Sequence, residues 1–161
     1  MSYQTIECEL SVMSDISLEA RVRRLEDIEE IRRLKSLYSL YANVGEGSGD
    51  PEKFAALFTE DCLWDLSGNP LHGRQAIIER LHQIERLQYI GLHFSLNPRI
   101  EVNGDEAFGE WDLIFPVYPP GGKPQTTVCG FYWDRLRRTE DGWKFTYVKY
   151  RVSEKFAIQP A

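Results

Sequence analysis

Residues 126–156, TTVCGFYWDRLRRTEDGWKFTYVKYRVSEKF, decide the fold. Two long runs, Thr126 to Arg138 and Trp143 to Phe156, are rich in β-branched and aromatic residues, which suit a pleated, half-buried surface. Thr139-Glu140-Asp141-Gly142 joins them with residues that reverse a chain, so the stretch reads as two paired antiparallel strands. Working back toward the N-terminus, Ala107 to Tyr118 is a third such run, separated from the pair by the loop Pro119-Pro120-Gly121-Gly122. Asn103-Gly104-Asp105 is a hairpin signal, and it ties this third run to a strand-like segment from Tyr89 to Val102 that is broken at Asn97-Pro98. The second half of the chain is therefore a meander of antiparallel strands.

The first half is helical. Ser17 is a good N-cap, and Leu18, Val22, Leu25, Ile28, Ile31, Leu34, Tyr38 and Tyr41 recur at spacings of three and four, which predicts one long amphipathic helix ending before Gly45, Gly47 and Gly49. Its other face mixes Arg21, Arg24, Glu26, Glu29, Glu30, Arg32 and Arg33, a charge-paired surface rather than a binding patch. Asp50-Pro51-Glu52 starts a second, short helix carrying Phe54, Leu57 and Phe58 inward. A short strand at Cys62 to Leu66, the turn Ser67-Gly68-Asn69-Pro70 and a third helix from about Gln75 to Leu87 follow. Helices first and sheet second predict an α+β fold: a cone-shaped, curved antiparallel sheet with N-terminal helices packed on it, enclosing a pocket. Residues 1–16 show no sustained period and are read as a flexible arm, leaving 17–161 as a single domain.

Composition narrows the function classes. At 161 residues, 42% hydrophobic and 27% charged, the chain has the make-up of one globular domain, which excludes wholesale disorder and fibrous repeats. No apolar run approaches the roughly 20 residues of a membrane span, and Met1-Ser2-Tyr3-Gln4 lacks the basic start of a secretory signal; no membrane partner and a cytoplasmic location are expected. The net charge of -6, with Lys and Arg interleaved among Asp and Glu, offers no basic stripe to a phosphate backbone, so nucleic acid is not an expected partner. Cys8, Cys62 and Cys129 are too widely spaced for a zinc site or a disulfide framework and read as reduced, buried thiols.

Aromatic residues, at 12%, exceed what a core of this size needs, and they crowd into the strand half. Trp111, Phe115, Phe131, Trp133 and Tyr147 either fill a solid core or line an apolar cavity suited to a ring compound; strand alternation alone does not separate the two. His93, Ser95 and Asn97 alternate with large apolar residues and give one strand a polar face. His93 has no His or Cys at ligand spacing, so no metal is expected at it. Of the other histidines, His82 lies opposite the apolar face of its helix and His72 precedes a turn.

Several local motifs then carry a resemblance. Ile28-Glu29-Glu30-Ile31-Arg32-Arg33-Leu34-Lys35 leading to Tyr41, Phe54-Ala55-Ala56-Leu57-Phe58-Thr59-Glu60-Asp61, Gly73-Arg74-Gln75-Ala76-Ile77, and His93 through Asn97-Pro98-Arg99-Ile100 to Gly104-Asp105-Glu106-Ala107 occur in one order. With Gly130-Phe131-Tyr132-Trp133-Asp134 and Asp141-Gly142-Trp143-Lys144-Phe145 they resemble the nuclear transport factor 2-like superfamily in its SnoaL-like branch, over about residues 18 to 156. Within that branch the chain is similar to the bile-acid 7α-dehydratases and, at greater distance, to scytalone dehydratase and hexachlorocyclohexane dehydrochlorinase.

The resemblance implies a cofactor-independent lyase (dehydratase) or isomerase acting on a small hydrophobic ring compound such as a steroid or polyketide-like substrate. It implies His93 as general base, Glu46 orienting it and Tyr41 as hydrogen-bond donor, with Arg151 as substrate anchor. Glu46 stands in Gly45-Glu46-Gly47-Ser48-Gly49 where the family has Asp, and Asp50 and Asp65 are the substitutes for it as the partner of His93. Asp65, Trp64, Trp111, Phe131 and Trp133 are the remaining expected pocket residues. The same fold also serves as a non-catalytic ligand-binding protein and as the small structural subunit of aromatic-ring dioxygenases. A homodimer or homotrimer is expected, because the outer face of so long a sheet needs covering.

Overall fold

The computed structural model describes residues 17–45, 49–120 and 125–158. The arm expected over 1–16, together with Cys8, and the segment containing Glu46 lie outside the described residues. In chain order the elements are α1 (Leu18–Ala42), α2 (Pro51–Ala56), β1 (Phe58–Leu66), β2 (Pro70–His72), α3 (Gly73–Glu85), β3 (Ile90–Gly91), β4 (Phe94–Asn103), β5 (Glu106–Tyr118), β6 (Gln125–Thr139) and β7 (Gly142–Ile158). Helices pack on one side of a strongly curled sheet of order β2-β1-β7-β6-β5-β3, with β4 also paired to β5. The fold is α+β, as the order of patterns predicts.

One pairing departs from the expected antiparallel sheet. β1 runs parallel to β7, with Trp64 opposite Val148 and Leu66 opposite Tyr150. Each hairpin from β4 to β7 reverses the chain, and the last strand returns beside β1 pointing the same way. No hairpin joins β1 to β7, so nothing local in the sequence reports this contact.

The helix starts follow their caps. Ser17 Oγ accepts the Ala20 N–H at 3.2 Å, and Asp50 Oδ1 accepts the Lys53 N–H at 2.9 Å with Pro51 in the first turn. The buried stripe of α1 is shorter than its periodicity suggests. Leu18, Val22 and Leu25 are exposed because the first turns overhang the sheet, whereas Asp27, Ile31, Leu34, Lys35, Tyr38 and Ala42 are buried. Asp27 closes the overhang: it accepts from Trp143 Nε1 at 3.2 Å and from Arg138 Nη2 at 2.7 Å, which pins α1 to the β6–β7 hairpin.

Between helices and sheet lies an aromatic core. Tyr38, Phe54, Phe58, Phe145 and Trp143 are fully buried, with ring centroids 4.7 Å apart for Tyr38–Phe54 and 5.4 Å for Phe58–Phe145. Each such side chain contributes on the order of 2 kcal/mol by leaving water. Cys62 is buried as expected, while Cys129 is only half-buried, because it faces outward on β6. No described helix is long and apolar enough to cross a membrane.

Candidate functional site

The core does not fill the cone. Beyond Tyr38 a cavity of about 1300 Å³ opens between α1, α3 and the concave face of the sheet, larger than the roughly 300–1,000 Å³ usual for small-molecule sites. Its wall is mainly apolar, with Leu81, Ile84, Leu113, Phe115, Val128 and the rings of Tyr38, Trp64, Tyr132 and Tyr150. Aromatic residues therefore serve both expected purposes, core at one end of the cone and lining at the other.

Alternation along the strands sorts the expected residues. Trp64, His93 and Arg151 border the cavity. On β6 it is Tyr132, Asp134 and Leu136 that are buried, so Phe131 and Trp133 fall on the outer face, where Phe131 is 41% exposed and Trp133 Nε1 donates to Glu110 at 3.1 Å. Trp111 is buried in the core rather than in the lining. Arg151 stands at the edge of β7 opposite the outward Phe131 in the ladder, past the last pairing of β7 with β1. Tyr147 pairs with Arg135 and lies outside the lining; Phe115 is within it.

The carboxylates are committed elsewhere. Asp65 accepts the Gly68 N–H at 2.7 Å, holding the β1–β2 turn, and lies 3.7 Å from Lys149 Nζ. Asp50 caps α2. Tyr41 borders a separate small cleft with Asn43, Asp50 and Pro51 rather than the cavity. The tyrosine one helical turn earlier, Tyr38, is the one on the buried stripe of α1 and in the cavity wall.

His93 sits between β3 and β4, where the edge of the sheet meets the end of α1. Its backbone N–H donates to Asn43 Oδ1 at 2.7 Å, and Val44 bridges to Gly91 beside it. A side chain at Gly91 would come within 2.8 Å of the Phe115 ring, so glycine is needed for that ring to close against His93. The imidazole stacks on Phe115 at 4.1 Å between centroids, and its Nδ1 is buried with no hydrogen-bond partner among the described residues. Burial first, and the Lys35 charge second, push its pKa down to about 3. The ring is neutral at any physiological pH.

The polar face expected of β4 is not continuous. Ser95 turns to α1, its hydroxyl 2.9 Å from that of Ser39, while Asn97 takes a positive φ of 49° at an irregularity between Leu96 and Arg99 and donates to Asp112 at 2.7 Å. His93 alone of the three reaches the cavity.

Beneath the wall lies a buried ion pair. Lys35 Nζ and Asp134 Oδ2 are 2.8 Å apart, and both side chains are almost wholly buried. Lys35 also stands 3.7 Å from the Tyr132 ring centroid and 4.2 Å from that of Tyr38. Burial pushes the Asp134 carboxyl up and the Lys35 ammonium down, each opposed by the other's charge. The signal for both was positional: Lys35 lies four residues after Ile31 and three before Tyr38, and Asp134 shares its strand face with Tyr132 and Leu136.

The tyrosines are held neutral. Trp64 Nε1 donates to Tyr38 Oη at 3.0 Å, and burial, then the neighbouring Tyr132 and Asp134, push the Tyr38 phenol well above its usual range. Tyr132 is pushed up in the same way by burial and Asp134. An indole N–H only donates, so it occupies a lone pair of Tyr38, and the Tyr38 hydroxyl also interacts with that of Tyr132.

Comparisons with known proteins agree with this architecture. A comparison with curated proteins returns no match. Among solved structures, the chain is similar to a candidate aromatic ring hydroxylase of Novosphingobium aromaticivorans, with 26% identity, a TM-score of 0.72, and 83% of this chain and 94% of that one covered. A candidate scytalone dehydratase of the same organism has 24% identity and a TM-score of 0.73 over 86% and 91% of the two chains. Hexachlorocyclohexane dehydrochlorinase LinA-type3 of Novosphingobium barchaimii shares the fold at 17% identity and a TM-score of 0.74, over 86% and 94%. The SnoaL-like domain family matches residues 23–149, nearly the whole span from α1 to β7, and to that family the chain belongs.

Proposed function

We propose that the cavity binds a small hydrophobic ring compound and that the protein is a cofactor-independent lyase or isomerase in which His93 takes a proton from carbon. The observation that carries this reading is the neutral imidazole in the wall of a large, mainly apolar cavity. The names of two of the similar structures, a dehydratase and a dehydrochlorinase, support elimination as the reaction class.

The site also limits the substrate. A pKa of about 3 in place of 6.5 makes His93 a poorer base by about 5 kcal/mol, so the carbon acid must be activated by an adjacent carbonyl. Tyr38 and Tyr132, whose hydroxyls interact with each other in the cavity wall, are the donors we assign to that oxygen, in the role that the resemblance gives Tyr41. The proton that His93 accepts is held weakly and is readily returned. Given to a departing β-hydroxyl it releases water and leaves a conjugated carbonyl; given back to another carbon it moves a double bond.

The test is turnover of cyclic β-hydroxyketones, followed by the absorbance of the enone formed. His93→Ala is expected to lose at least 100-fold in kcat and Tyr38→Phe about tenfold, with both variants still binding. Full turnover by His93→Ala would sink the assignment. A second reading, ligand binding without turnover, is favoured by one observation: the side chain that reaches His93 is Asn43, bonded to its backbone, and no carboxylate meets the ring among the described residues. Wild-type binding without any enone formation selects that reading.

The outer sheet face bears on assembly. Phe94 pairs with Ile114 across β4–β5, and Asp112 stands between Leu96 and Phe131; these four apolar side chains are each about 40% exposed. We assign this face to a second copy of the chain, in a dimer or trimer. Sedimentation should show an oligomer that Ile114→Glu/Phe131→Glu converts to monomer with an unchanged circular dichroism spectrum. A monomeric wild type overturns the assignment.

A further inference from the structure

A histidine that moves protons is commonly oriented by a hydrogen bond on its second ring nitrogen. In His93 that bond is missing among the described residues, where Nδ1 is buried without a partner. The backbone is held, its N–H donating to Asn43 Oδ1 at 2.7 Å, but this leaves the ring free to turn about its side-chain torsions. Phe115 supplies the contact on the ring itself, with 4.1 Å between centroids and 25° between planes.

Such a stack fixes the tilt of the imidazole only if Phe115 is itself fixed. Phe115 borders the cavity and also packs against the core. Gly91 stands beside it: a Cβ there would lie 2.8 Å from two atoms of the Phe115 ring and 2.9 Å from the Tyr89 ring. The Gly91 backbone is bound on both sides. Its N–H donates to the Val44 carbonyl at 2.8 Å, its carbonyl accepts the Val44 N–H at 2.9 Å, and across β3–β5 it pairs with Val117. A side chain at position 91 would therefore displace the rings and not the strand.

We propose that Phe115 is a positioning residue for His93, holding the imidazole by its face in place of a hydrogen bond to Nδ1, and that Gly91 is the residue whose missing side chain lets Phe115 reach it. This rests on the reading that His93 exchanges a proton with the ligand, and it adds what aims the ring. The stack also covers one face of the imidazole. Burial is the first cause of the low His93 pKa, and Lys35 on α1 is the charged group that adds to it. The other elements around the ring bring no charge: Tyr89, before β3, is held neutral by burial, β5 brings Phe115, and β4 opens with Phe94 and Ser95. The face of a phenyl ring attracts a cation, but the burial it brings has the larger effect on an imidazole whose Nδ1 has no partner among the described residues.

Proton–carbon NMR of the imidazoles tests this. The chain has three histidines, so the His93 signals are assigned by their absence from His93→Gln. In the wild type the ring current of Phe115 should move them upfield, and they should stay untitrated from pH 8 down to about 5. In Phe115→Ala, which opens onto the cavity, they should lose the upfield shift and titrate with a midpoint above about 5. The acid limb of turnover of cyclic β-hydroxyketones should move up with that midpoint, while kcat at pH 8 falls about tenfold. Gly91→Ala keeps the phenyl ring but displaces it and should move the signals in the same direction; Phe115→Tyr keeps the stacked ring and should behave as the wild type. His93 signals and titration that are the same in the wild type and Phe115→Ala overturn the proposal, as does a Phe115→Tyr protein that behaves like Phe115→Ala. Unchanged signals in a folded Gly91→Ala overturn the part given to Gly91, and if that variant fails to fold the two Phe115 variants carry the test. The expected signals in a protein that turns nothing over support the positioning and overturn only the reading of His93 as a base.

Discussion

Lowering the pH from 7 to 4 is expected to remove about 3 kcal/mol of folding stability through His93 alone. In the folded protein its pKa is about 3, against 6.5 for an ordinary histidine. Between those two values the unfolded chain binds a proton that the folded chain refuses, so stability is present above pH 6.5 and is lost as the pH falls toward 3. Exposed His82 acts in the opposite sense, since Glu85 and then Glu52 hold its pKa up. Comparing the wild type with His93→Gln removes that contribution and those of the carboxylates, which the two proteins share. Urea titrations at pH 7, 5.5 and 4 should show the wild type losing about 3 kcal/mol more than the variant. Parallel curves would mean that His93 is solvated in the folded state and keeps an ordinary pKa, which would remove the requirement for a carbonyl-activated carbon acid.

The second large effect is expected from the ion pair under the cavity wall. Lys35→Met leaves the Asp134 carboxylate buried without its counter-charge, and should cost about 3–5 kcal/mol. The variant should also respond to pH in a diagnostic direction. Asp134 already has a raised pKa in the fold, and loss of Lys35 raises it further. An acid with a raised folded pKa favours folding below its unfolded value of about 4, and that contribution disappears as the pH rises. Lys35→Met should thus gain stability, relative to the wild type, on acidification. Replacing both partners, as Lys35→Met/Asp134→Leu, should recover most of the loss, because two apolar side chains need no desolvation of charge. A single variant within 1 kcal/mol of the wild type, or a double variant no better than the single, would contradict this account.

How far the sequence could be read differs between fold and site. The strands announced themselves through local signals: Asn103-Gly104-Asp105 and Thr139-Glu140-Asp141-Gly142 are turns in the structure, and the runs on either side pair as hairpins. Ser17 and Asp50 cap the helices that they were expected to cap. The faces of the strands were less legible. β6 carries large rings on both sides, Phe131 and Trp133 outward and Tyr132 inward, so ring content there could not set the phase. The phase follows from Asp134, buried against Lys35, and a pattern reading assigns an aspartate to solvent.

The site shows the same division. Alternation with apolar residues gives His93 only a place on a polar strand face; its role as base comes from the resemblance, and in the structure it borders the cavity. Tyr41 and Tyr38 are both tyrosines near the end of one helix, three residues apart. The curvature of the sheet beneath α1 places Tyr38 in the cavity wall and leaves Tyr41 at a neighbouring cleft. Asp65 was a candidate partner for His93 until the tight β1–β2 turn took its carboxylate.

By itself, then, the sequence determined the succession of helices and strands, the places where they begin and turn, and the excess of rings in the strand half. Those are consequences of interactions between residues a few positions apart: caps, hairpin turns, and the two periodicities of helix and strand. Tertiary structure alone decided that β7 returns parallel to β1, that Lys35 and Asp134, 99 residues apart, meet in the core, and that the cone encloses space instead of filling it. Each of these depends on the curl of the whole sheet and on which long-range neighbours exclude water, and no short stretch of the chain contains that information.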